Sequence, residues 1–338
     1  MGEPSAIDKQ RSDGPGLKAV VLAGPTASGK SALALHLASE QDAVIVNADS
    51  MQVYRDLPIL TAQPDPAALR AVPHRLYGIL PLDDPATAAR WAALALGEIE
   101  AAVATRKLPI LVGGTGLYLK ALLEGFAPIP EIDPSIRAEA KTLLVELGAA
   151  GLHARLATRD PETAAKLRPT DSQRLMRAWE VLEATGKPLA WWQGHPSVPP
   201  RSEQGPVRAM SFVINPARTD LYAACNDRFL AMVAKGAVAE VRRVLTAYPA
   251  ADHDRAGFKA LGFRELHRHV MGGTSLEEAV AAAQRETRNY AKRQSTWFRH
   301  QLQDATLLSP DGEAMKFSQS SLAVLRHKIR DFLLTDPC

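Results

Sequence analysis

The sequence has few cysteines and no long apolar run. Its two cysteines, Cys225 and Cys338, lie far apart and make no CxxC pair, which argues against a disulfide scaffold and against a cysteine zinc site. No stretch approaches the roughly 18–20 consecutive apolar residues that a membrane helix needs, so we expect no membrane partner. Residues 1–16 are polar and lack the apolar core of a secretory signal, and we expect them to form a flexible tail on a cytoplasmic protein.

A strong excess of charge of one sign is also missing. The 338 residues contain 40 Lys and Arg against 37 Asp and Glu, a formal net charge of +3. This balance neither requires nor excludes a nucleic-acid partner, because the placement of basic residues matters more than their sum. Hydrophobic residues at 46% and charged residues at 23% exclude a collagen, a coiled coil and a wholly disordered chain. The length allows roughly two domains.

Short apolar runs rich in β-branched residues alternate with helical patterns in the first third of the chain. The strand patterns occupy residues 19–23, 43–49, 73–80 and 109–114. Strands that alternate with helices predict a parallel sheet, so we expect an α/β fold.

The composition changes near Pro128. Residues 135–186 carry helical patterns without convincing strands, a proline-rich segment follows at 195–206, and a strand pattern returns at 207–216. We therefore expect an α/β core that is interrupted by a mostly helical insertion. The expected division is a core over 17–127 and 206–310, an insertion over 128–205 and a closing helix within 311–338.

A phosphate-loop pattern lies between the first strand and the first helix. Residues 24–31 read GPTASGKS and fit GxxxxGK[ST] in the context that this motif requires. The glycines allow backbone N–H groups to surround phosphate oxygens, Lys30 adds a positive charge, and the Ser31 hydroxyl is expected to hold Mg²⁺. The pattern does not specify ATP, since the strand at 109–114 ends in glycine rather than in the aspartate of an ATPase. The expected phosphate contacts are Gly24, Pro25, Thr26, Ala27, Ser28, Gly29, Lys30 and Ser31.

Asp49 follows the second strand, at the edge where ligands bind in open α/β sheets. It could act as a general base, cap the following turn or support Mg²⁺ from the outer shell, and its position alone does not choose among these roles. A second glycine-rich turn, Gly113-Gly114-Thr115-Gly116, could bring backbone and the Thr115 hydroxyl to a ligand. Such turns are also common packing features, so this turn alone is weak evidence.

Basic residues concentrate on a helical pattern near the end of the chain. Three of them recur every seven residues and share one helix face: Arg285, Lys292 and Arg299. A largely apolar stripe lies roughly opposite: Tyr290, Gln294, Trp297 and Phe298. The basic face suits a phosphate backbone, although a solvated surface helix is the usual meaning of such a run. Residues 255–268 are also basic, and residues 171–177 open a further helix with Asp171 or Ser172 as its expected N-cap.

Longer segments of the sequence carry a more specific pattern. They are GPTASGKS at 24–31, ADSMQVYRDLPILTAQP at 48–64, PHRLYGIL at 73–80, LVGGTGLYLKALLEG at 111–125, DSQRLMRAWEVLEATGKPL at 171–189 and TRNYAKRQSTWFR at 287–299. In order and spacing they resemble the tRNA dimethylallyltransferase (tRNA isopentenyltransferase) family, in its bacterial form. The resemblance runs from about Lys18 to His300.

The resemblance implies a P-loop NTPase-like core and a prenyl transfer. A dimethylallyl group would move from dimethylallyl diphosphate to the exocyclic N6 amine of the adenosine 3′ of the tRNA anticodon. The phosphate loop with Mg²⁺ would hold the departing diphosphate, and Arg228 in the CNDRF segment would be a further diphosphate partner. Asp49 would be the general base, so the expected catalytic residues are Asp49, Thr115 and Arg228.

The implied partner is the anticodon stem-loop of tRNA. We expect the protein to be a monomer. Thr115 and Arg137 match positions that contact tRNA near the reacting base, and the helical insertion would supply a second tRNA-binding surface. The expected tRNA contacts are Asp49, Ser50, Met51, Gln52, Thr115, Arg137, Ser172, Gln173, Arg174, Leu175, Lys292, Arg293, Gln294 and Trp297.

The sequence also departs from the family and leaves other functions open. Gln63 stands where the family usually has a lysine, so we expect one backbone or diphosphate contact to be weaker or moved. A small-molecule kinase would share the phosphate loop and an aspartate after the second strand, but it would not need the basic C-terminal half. An RNA-binding NTPase without prenyl chemistry is the third interpretation.

Overall fold

The computed structural model describes residues 16–195, 197–249, 255–310 and 317–335. The expected tail at 1–16 therefore lies, apart from Gly16, outside the described residues, as do the ends of the expected closing segment at 311–316 and 336–338. The chain forms two compact units. One combines Met1–Leu123 with Pro200–Cys338, and the other is Glu124–Pro199.

The larger unit contains a parallel sheet of six strands in the order β3-β2-β4-β1-β5-β6. The strands are β1 (Leu17–Ala23), β2 (Ala43–Asn47), β3 (His74–Arg75), β4 (Leu108–Gly113), β5 (Val207–Ile214) and β6 (Thr306–Leu308). The predicted α/β class is thus confirmed. The interior strands β1, β2 and β4 are almost wholly buried, which is why they read as continuous apolar runs rather than as alternating ones.

Helices cover the sheet and continue beyond it. Those of the larger unit are α1 (Lys30–Glu40), α2 (Pro66–Ala71), α3 (Ala88–Ala104), α4 (Gly116–Leu123), α9 (Arg218–Ala234), α10 (Ala237–Ala247), α11 (Phe263–Val270), α12 (Leu276–Gln301) and α13 (Gln319–Leu334). Leu37 of α1 and Leu325 of α13 pack with Ile110 and Phe212 in one buried cluster. A capping box formed by Ser275 and Glu278 starts α12, as such a Ser-x-x-Glu pattern predicts.

The smaller unit is helical, as its sequence predicts. It contains α5 (Pro134–Arg159), α6 (Pro161–Lys166), α7 (Ser172–Thr185) and α8 (Leu189–Gln193). Leu152, Leu156 and Trp179 form the centre of its apolar core. Asp171 is the N-cap of α7, because its side chain accepts a hydrogen bond from the Arg174 N–H.

Two strand predictions need correction. The strand expected over 73–80 is reduced to β3, and only an isolated bridge between Tyr54 and Leu80 continues the pairing. The short strand β6 is absent from the predictions, because a three-residue edge strand is too brief to show a period in sequence. Among the described residues, no helix combines the length and the apolar character that crossing a membrane requires.

Candidate active site

Three loops meet at the carboxyl edge of the sheet because β2, β4 and β1 are neighbours and run parallel. The loop after β1 carries the phosphate-loop pattern, the loop after β2 carries Asp49, and the turn after β4 carries Thr115. Because β4 lies between β2 and β1 in the sheet, the loops that follow these three strands bring together residues that are far apart in sequence. This edge is where open α/β sheets bind ligands.

The loop of residues 24–31 is held in a conformation that few sequences adopt. Gly29 and Ala27 both have left-handed backbone, with φ of 84° and 62°. Glycine adopts this conformation freely, whereas alanine does so at a cost. A side chain at Gly24 would lie 2.8 Å from the carbonyl oxygen of Ile214. The Ser28 hydroxyl is fully buried and has no hydrogen-bond partner within the described chain, so the loop retains an unsatisfied polar group.

One buried and one half-buried cation lie beside this loop. Lys30 is buried and its Nζ donates to the carbonyl oxygen of Pro25 at 2.9 Å. Burial lowers the pKa of Lys30 to about 8, an effect that the negative charge of Asp49 partly opposes. The Arg228 guanidinium donates to the Thr26 hydroxyl, and burial lowers the pKa of Arg228 as well.

The charges of this site are only partly balanced by protein groups. The Asp49 charge acts on both Lys30 and Arg228, but within the described residues neither cation has a carboxylate at ion-pair distance. Buried charges without a counterion are costly. Burial lowers the pKa of both groups, and the Arg228 charge also lowers the pKa of Lys30. An anion with several oxygens would relieve this cost. The arrangement is suited to a polyphosphate group.

Asp49 is held by its own loop. Its backbone N–H donates to the Asn47 side chain at 2.8 Å, and its Oδ1 accepts from the Met51 N–H at 2.9 Å. The capping role that the sequence allowed is therefore present in the structure. It occupies one carboxylate oxygen, so the role of general base stays a prediction.

Three tyrosines lie close enough to Asp49 for its charge to affect them, and sequence reasoning did not select them as site residues. Burial, with the Asp49 charge as a smaller cause, raises the pKa values of Tyr77 and Tyr290, the latter to about 12. Burial also raises the pKa of Tyr118, which stacks on Trp91 at 4.7 Å. Their signal was present in the longer motifs, which contain Tyr77, Tyr118 and Tyr290, but not in any short catalytic pattern.

Thr115 connects the turn after β4 to the loop that carries Asp49. Its Oγ1 accepts from the Ser50 N–H at 2.9 Å and lies 3.2 Å from the Ser50 hydroxyl. The Thr115 N–H donates to the carbonyl oxygen of Ala48 at 3.2 Å. The expected Asp49, Ser50 and Thr115 are thus neighbours.

The glycines of the second turn are packing features. A side chain at Gly114 would lie 2.2 Å from the Gln294 amide, and one at Gly116 would lie 2.2 Å from the Trp297 ring. The Gln294 amide accepts from the Thr26 N–H and donates to the carbonyl oxygen of Gly114, both at 2.8 Å. Gln294 therefore joins the two glycine-rich loops.

Two of the expected tRNA contacts have buried side chains, and their contact with tRNA stays a prediction. Gln294 is buried and its amide is used within the chain, so it cannot offer the same bonds to a nucleotide. Leu175 is fully buried in the core of the smaller unit, where its apolar side chain packs with Trp179. Helix periodicity places both residues on the inward side of their helices.

The other expected contacts lie on surfaces. On α12, Lys292 and Arg293 are exposed while Phe298 is buried, which confirms the two-faced helix. In the smaller unit, Arg137, Gln173 and Arg174 are exposed and Ser172 is half-buried.

Gln63 lies in the segment after β2 and donates to the carbonyl oxygen of Tyr54 at 2.7 Å, so its amide stabilises that segment. Met51 and Gln52 are half-buried beside Asp49, and Ser31 is exposed on the first turn of α1.

Comparisons with known proteins agree with this geometry. The IPP transferase family model matches residues 52–301. A tRNA dimethylallyltransferase of Paramagnetospirillum magneticum is 52% identical over 323 residues, which cover 94% of this chain and 98% of the relative. One from Rhodospirillum centenum is 52% identical over 293 residues, which cover 86% of this chain and 91% of the relative.

Solved structures show the same fold. The tRNA isopentenylpyrophosphate transferase of Bacillus halodurans has a TM-score of 0.65 and 29% identity, covering 93% of this chain and 96% of that one. A eukaryotic dimethylallyltransferase acting on tRNA has a TM-score of 0.77 and 25% identity, covering 95% of this chain and 80% of that one. The core is thus of the P-loop NTPase-like kind. The family match over most of the chain and the high identity of these relatives show that the chain belongs to the IPP transferase family.

Proposed function

We propose that this chain transfers a dimethylallyl group from dimethylallyl diphosphate to the exocyclic N6 amine of the adenosine 3′ of a tRNA anticodon, with release of diphosphate. The observation that carries this proposal is the pair of cations, buried Lys30 and half-buried Arg228, which lie beside the loop of residues 24–31 and within electrostatic reach of Asp49. The relatives named tRNA dimethylallyltransferase support the same reaction. A small-molecule kinase is not favoured by these comparisons.

The residues of the first loop serve the leaving group. When the allylic C–O bond breaks, its electron pair goes to the diphosphate and positive charge develops on the allyl carbon. Lys30, Arg228 and the backbone N–H groups of the loop stabilise the departing anion, since fixed donors aimed at developing charge are the strongest electrostatic aid to catalysis.

The loop after β2 serves the acceptor. The N6 nitrogen forms a bond to the allyl carbon and loses a proton to the Asp49 carboxylate. The Met51 N–H holds Oδ1 of Asp49, which leaves Oδ2 to accept that proton. Thr115 fixes the backbone of Ser50 and so orients this loop.

A magnesium ion would be held by the Ser31 hydroxyl together with diphosphate oxygens. Among the described residues no cluster of three or more His, Cys, Asp or Glu side chains could hold a metal. This fits Mg²⁺, which commonly keeps several waters and binds through substrate phosphates with few protein ligands. When bound, the ion neutralises charge that develops on the leaving diphosphate.

The exposed basic face of α12 is the proposed contact for the tRNA backbone. Lys292 and Arg293 are exposed there, and Arg293 lies 5.6 Å from the ring centre of Tyr290. Exposed loop bases are what sequence-specific RNA-binding proteins recognise, and the reacting base would leave its stack to reach Asp49. Arg137, Gln173 and Arg174 of the smaller unit are further candidates. The monomeric state and the cytoplasmic location stay predictions.

Incubation of the protein with labelled dimethylallyl diphosphate and unmodified tRNA, without ATP, tests the proposal. We expect label in the tRNA, because the leaving group is already present in the donor. A matched tRNA with guanosine in place of the adenosine 3′ of the anticodon should remain unlabelled. Absence of label from the first tRNA, or a requirement for ATP, would contradict the proposal.

A further inference from the structure

Glu240 is a fully buried carboxylate that the proposed reaction does not use. It lies on α10 and is 0% exposed. Its two oxygens accept hydrogen bonds from the backbone N–H groups of Ile59 and Leu60, each at 2.8 Å. Such a carboxylate is placed where only specific partners can offset the cost of burial.

The partner of Glu240 is a tight helical turn in residues 57–63. Within it the Thr61 N–H donates to the carbonyl oxygen of Leu57, and the Gln63 N–H donates to that of Pro58. The first N–H groups of a helical turn have no partner inside the turn. Glu240 therefore caps this turn from another helix.

The other end of the same turn is tied to the Asp49 loop. The Gln52 side-chain amide donates to the carbonyl oxygens of Thr61 and Ala62, both at 2.9 Å. The Gln52 N–H in turn donates to the carbonyl oxygen of Asp49 at 3.2 Å. A continuous set of hydrogen bonds thus runs from Glu240 to the backbone of Asp49.

Helix α10 also connects to the diphosphate side of the site. It packs against α9, the helix that carries Arg228. Glu240 supplies two hydrogen bonds to the residues after β2, and Tyr248, which directly follows α10, supplies a third from its hydroxyl to Asp56 at 3.0 Å. Of these three bonds, only the two of Glu240 hold the turn that Gln52 also bonds.

We propose that Glu240 is a positioning residue, which sets the place of the Asp49 loop relative to α9, the helix that carries Arg228. The inference rests on the proposed function, because it assigns a catalytic consequence to the contact. A displacement of about 1 Å in reacting groups can cost about 100-fold in rate. The bonds of Glu240 prevent such a displacement.

The substitution Glu240→Gln tests the inference, with Tyr248→Phe as the matched control. An amide can accept from one N–H group but presents its own N–H to the other. Tyr248→Phe instead removes the hydroxyl that bonds Asp56 and leaves both bonds of Glu240 in place. We expect Glu240→Gln to lower kcat by about 10- to 100-fold, with the Kd of dimethylallyl diphosphate unchanged. Tyr248→Phe should retain the kcat of the parent protein.

Hydrogen exchange distinguishes a displaced Asp49 loop from a loss of the whole fold. In Glu240→Gln the amides of residues 49–63 should exchange faster, while those of β1 and β4 keep their protection. If Glu240→Gln does not fold, Glu240→Asp, which keeps the charge on a shorter side chain, replaces it and should show an intermediate loss of kcat. A folded variant with parental kcat, or an equal loss in Tyr248→Phe, would overturn the inference. If Glu240→Gln shows the faster exchange but the parent protein transfers no dimethylallyl group, the proposed function is refuted instead.

Discussion

The two glycine-rich loops at the edge of the sheet use their glycines differently. In the loop of residues 24–31, Gly29 allows a left-handed turn, and the cations Lys30 and Arg228 lie at this loop. In the turn of residues 113–116, the glycines leave room for Gln294 and Trp297. The first loop therefore lies beside charges that lack an ion-pair partner among the described residues, whereas the second packs against the protein, although both follow a strand and precede a helix.

The comparison shows that neighbours decide the role of a glycine-rich turn. Beside the first loop, Lys30 and Arg228 have no carboxylate at ion-pair distance among the described residues. In the second, the Thr115 hydroxyl and the Gly114 carbonyl already have partners within the chain. We therefore predict that the first loop binds an anionic ligand and that the second holds the fold together.

Among changes in the two loops, removal of the charge in the first should have the largest effect on the use of the donor. Lys30→Met keeps much of the side-chain volume and removes the cation that stabilises the departing diphosphate. We expect kcat/KM for dimethylallyl diphosphate to fall by about 10²–10³-fold, as measured by label transfer to tRNA. Lys107→Met, at a surface position paired with Asp42, is the control. A loss of similar size in both variants would mean that the first loop does not hold the donor.

The pH dependence of donor use should report the same lysine. The pKa of Lys30 is about 8 because of burial, so the side chain is charged below this pH and loses its charge above it. Donor binding to the free enzyme should therefore weaken as the pH rises through about 8. A pH profile of kcat/KM for the donor measures this decline, and Lys30→Met should lack it. If kcat/KM of the parent protein for the donor did not change across this pH range, Lys30 would not contribute to donor binding.

The second turn should respond to a change in shape rather than charge. In Gly114→Ala the new carbon would lie 2.2 Å from the Gln294 amide, and forced overpacking costs about 1–3 kcal/mol of unfolding free energy. Gly97→Ala, in α3 where nothing lies within 4 Å, should instead stabilise by about 0.5–1 kcal/mol. Urea unfolding of both variants gives the two values. Equal effects would show that Gly114 is not a packing glycine.

The smallest effect should come from substitutions on the exposed face of α12. The opposite face of this helix packs against the turn of residues 113–116. Replacement of Lys292 and Arg293 by Ala should weaken tRNA binding and flatten its salt dependence, by a slope of about 0.7 for each lost phosphate contact to single-stranded RNA. Arg326→Ala on α13, where the arginine is paired with Glu40, is the control. Titrations at several salt concentrations measure the slope. An unchanged slope would identify α12 as a solvated surface helix.

Local patterns predicted most of the fold and the first loop. The buried strands β1, β2 and β4 are recognisable in the sequence as apolar runs. The phosphate loop is recognisable because its residues have a fixed spacing and lie between a strand and a helix. The edge strand β6 is too short to show a period, and β3 is shorter than its apolar segment suggests.

Contacts between distant parts of the chain could not be predicted in this way. Gln294 lies on the inner side of α12 but is polar, so the sequence does not tell whether its amide meets a nucleotide or the Thr26 backbone. Glu240 bonds backbone N–H groups about 180 residues earlier in the chain, and no periodicity encodes that pairing. Such residues are found only once the strand order is known.

The most direct test of the account is a single-turnover measurement of label transfer from dimethylallyl diphosphate to tRNA by Asp49→Asn beside the parent protein. The asparagine retains an oxygen for the Met51 N–H but cannot accept the N6 proton. We expect binding of donor and tRNA to persist while transfer falls by about 10²–10⁴-fold. Transfer at the parental rate would show that another group takes the proton and would contradict the role assigned to this carboxylate.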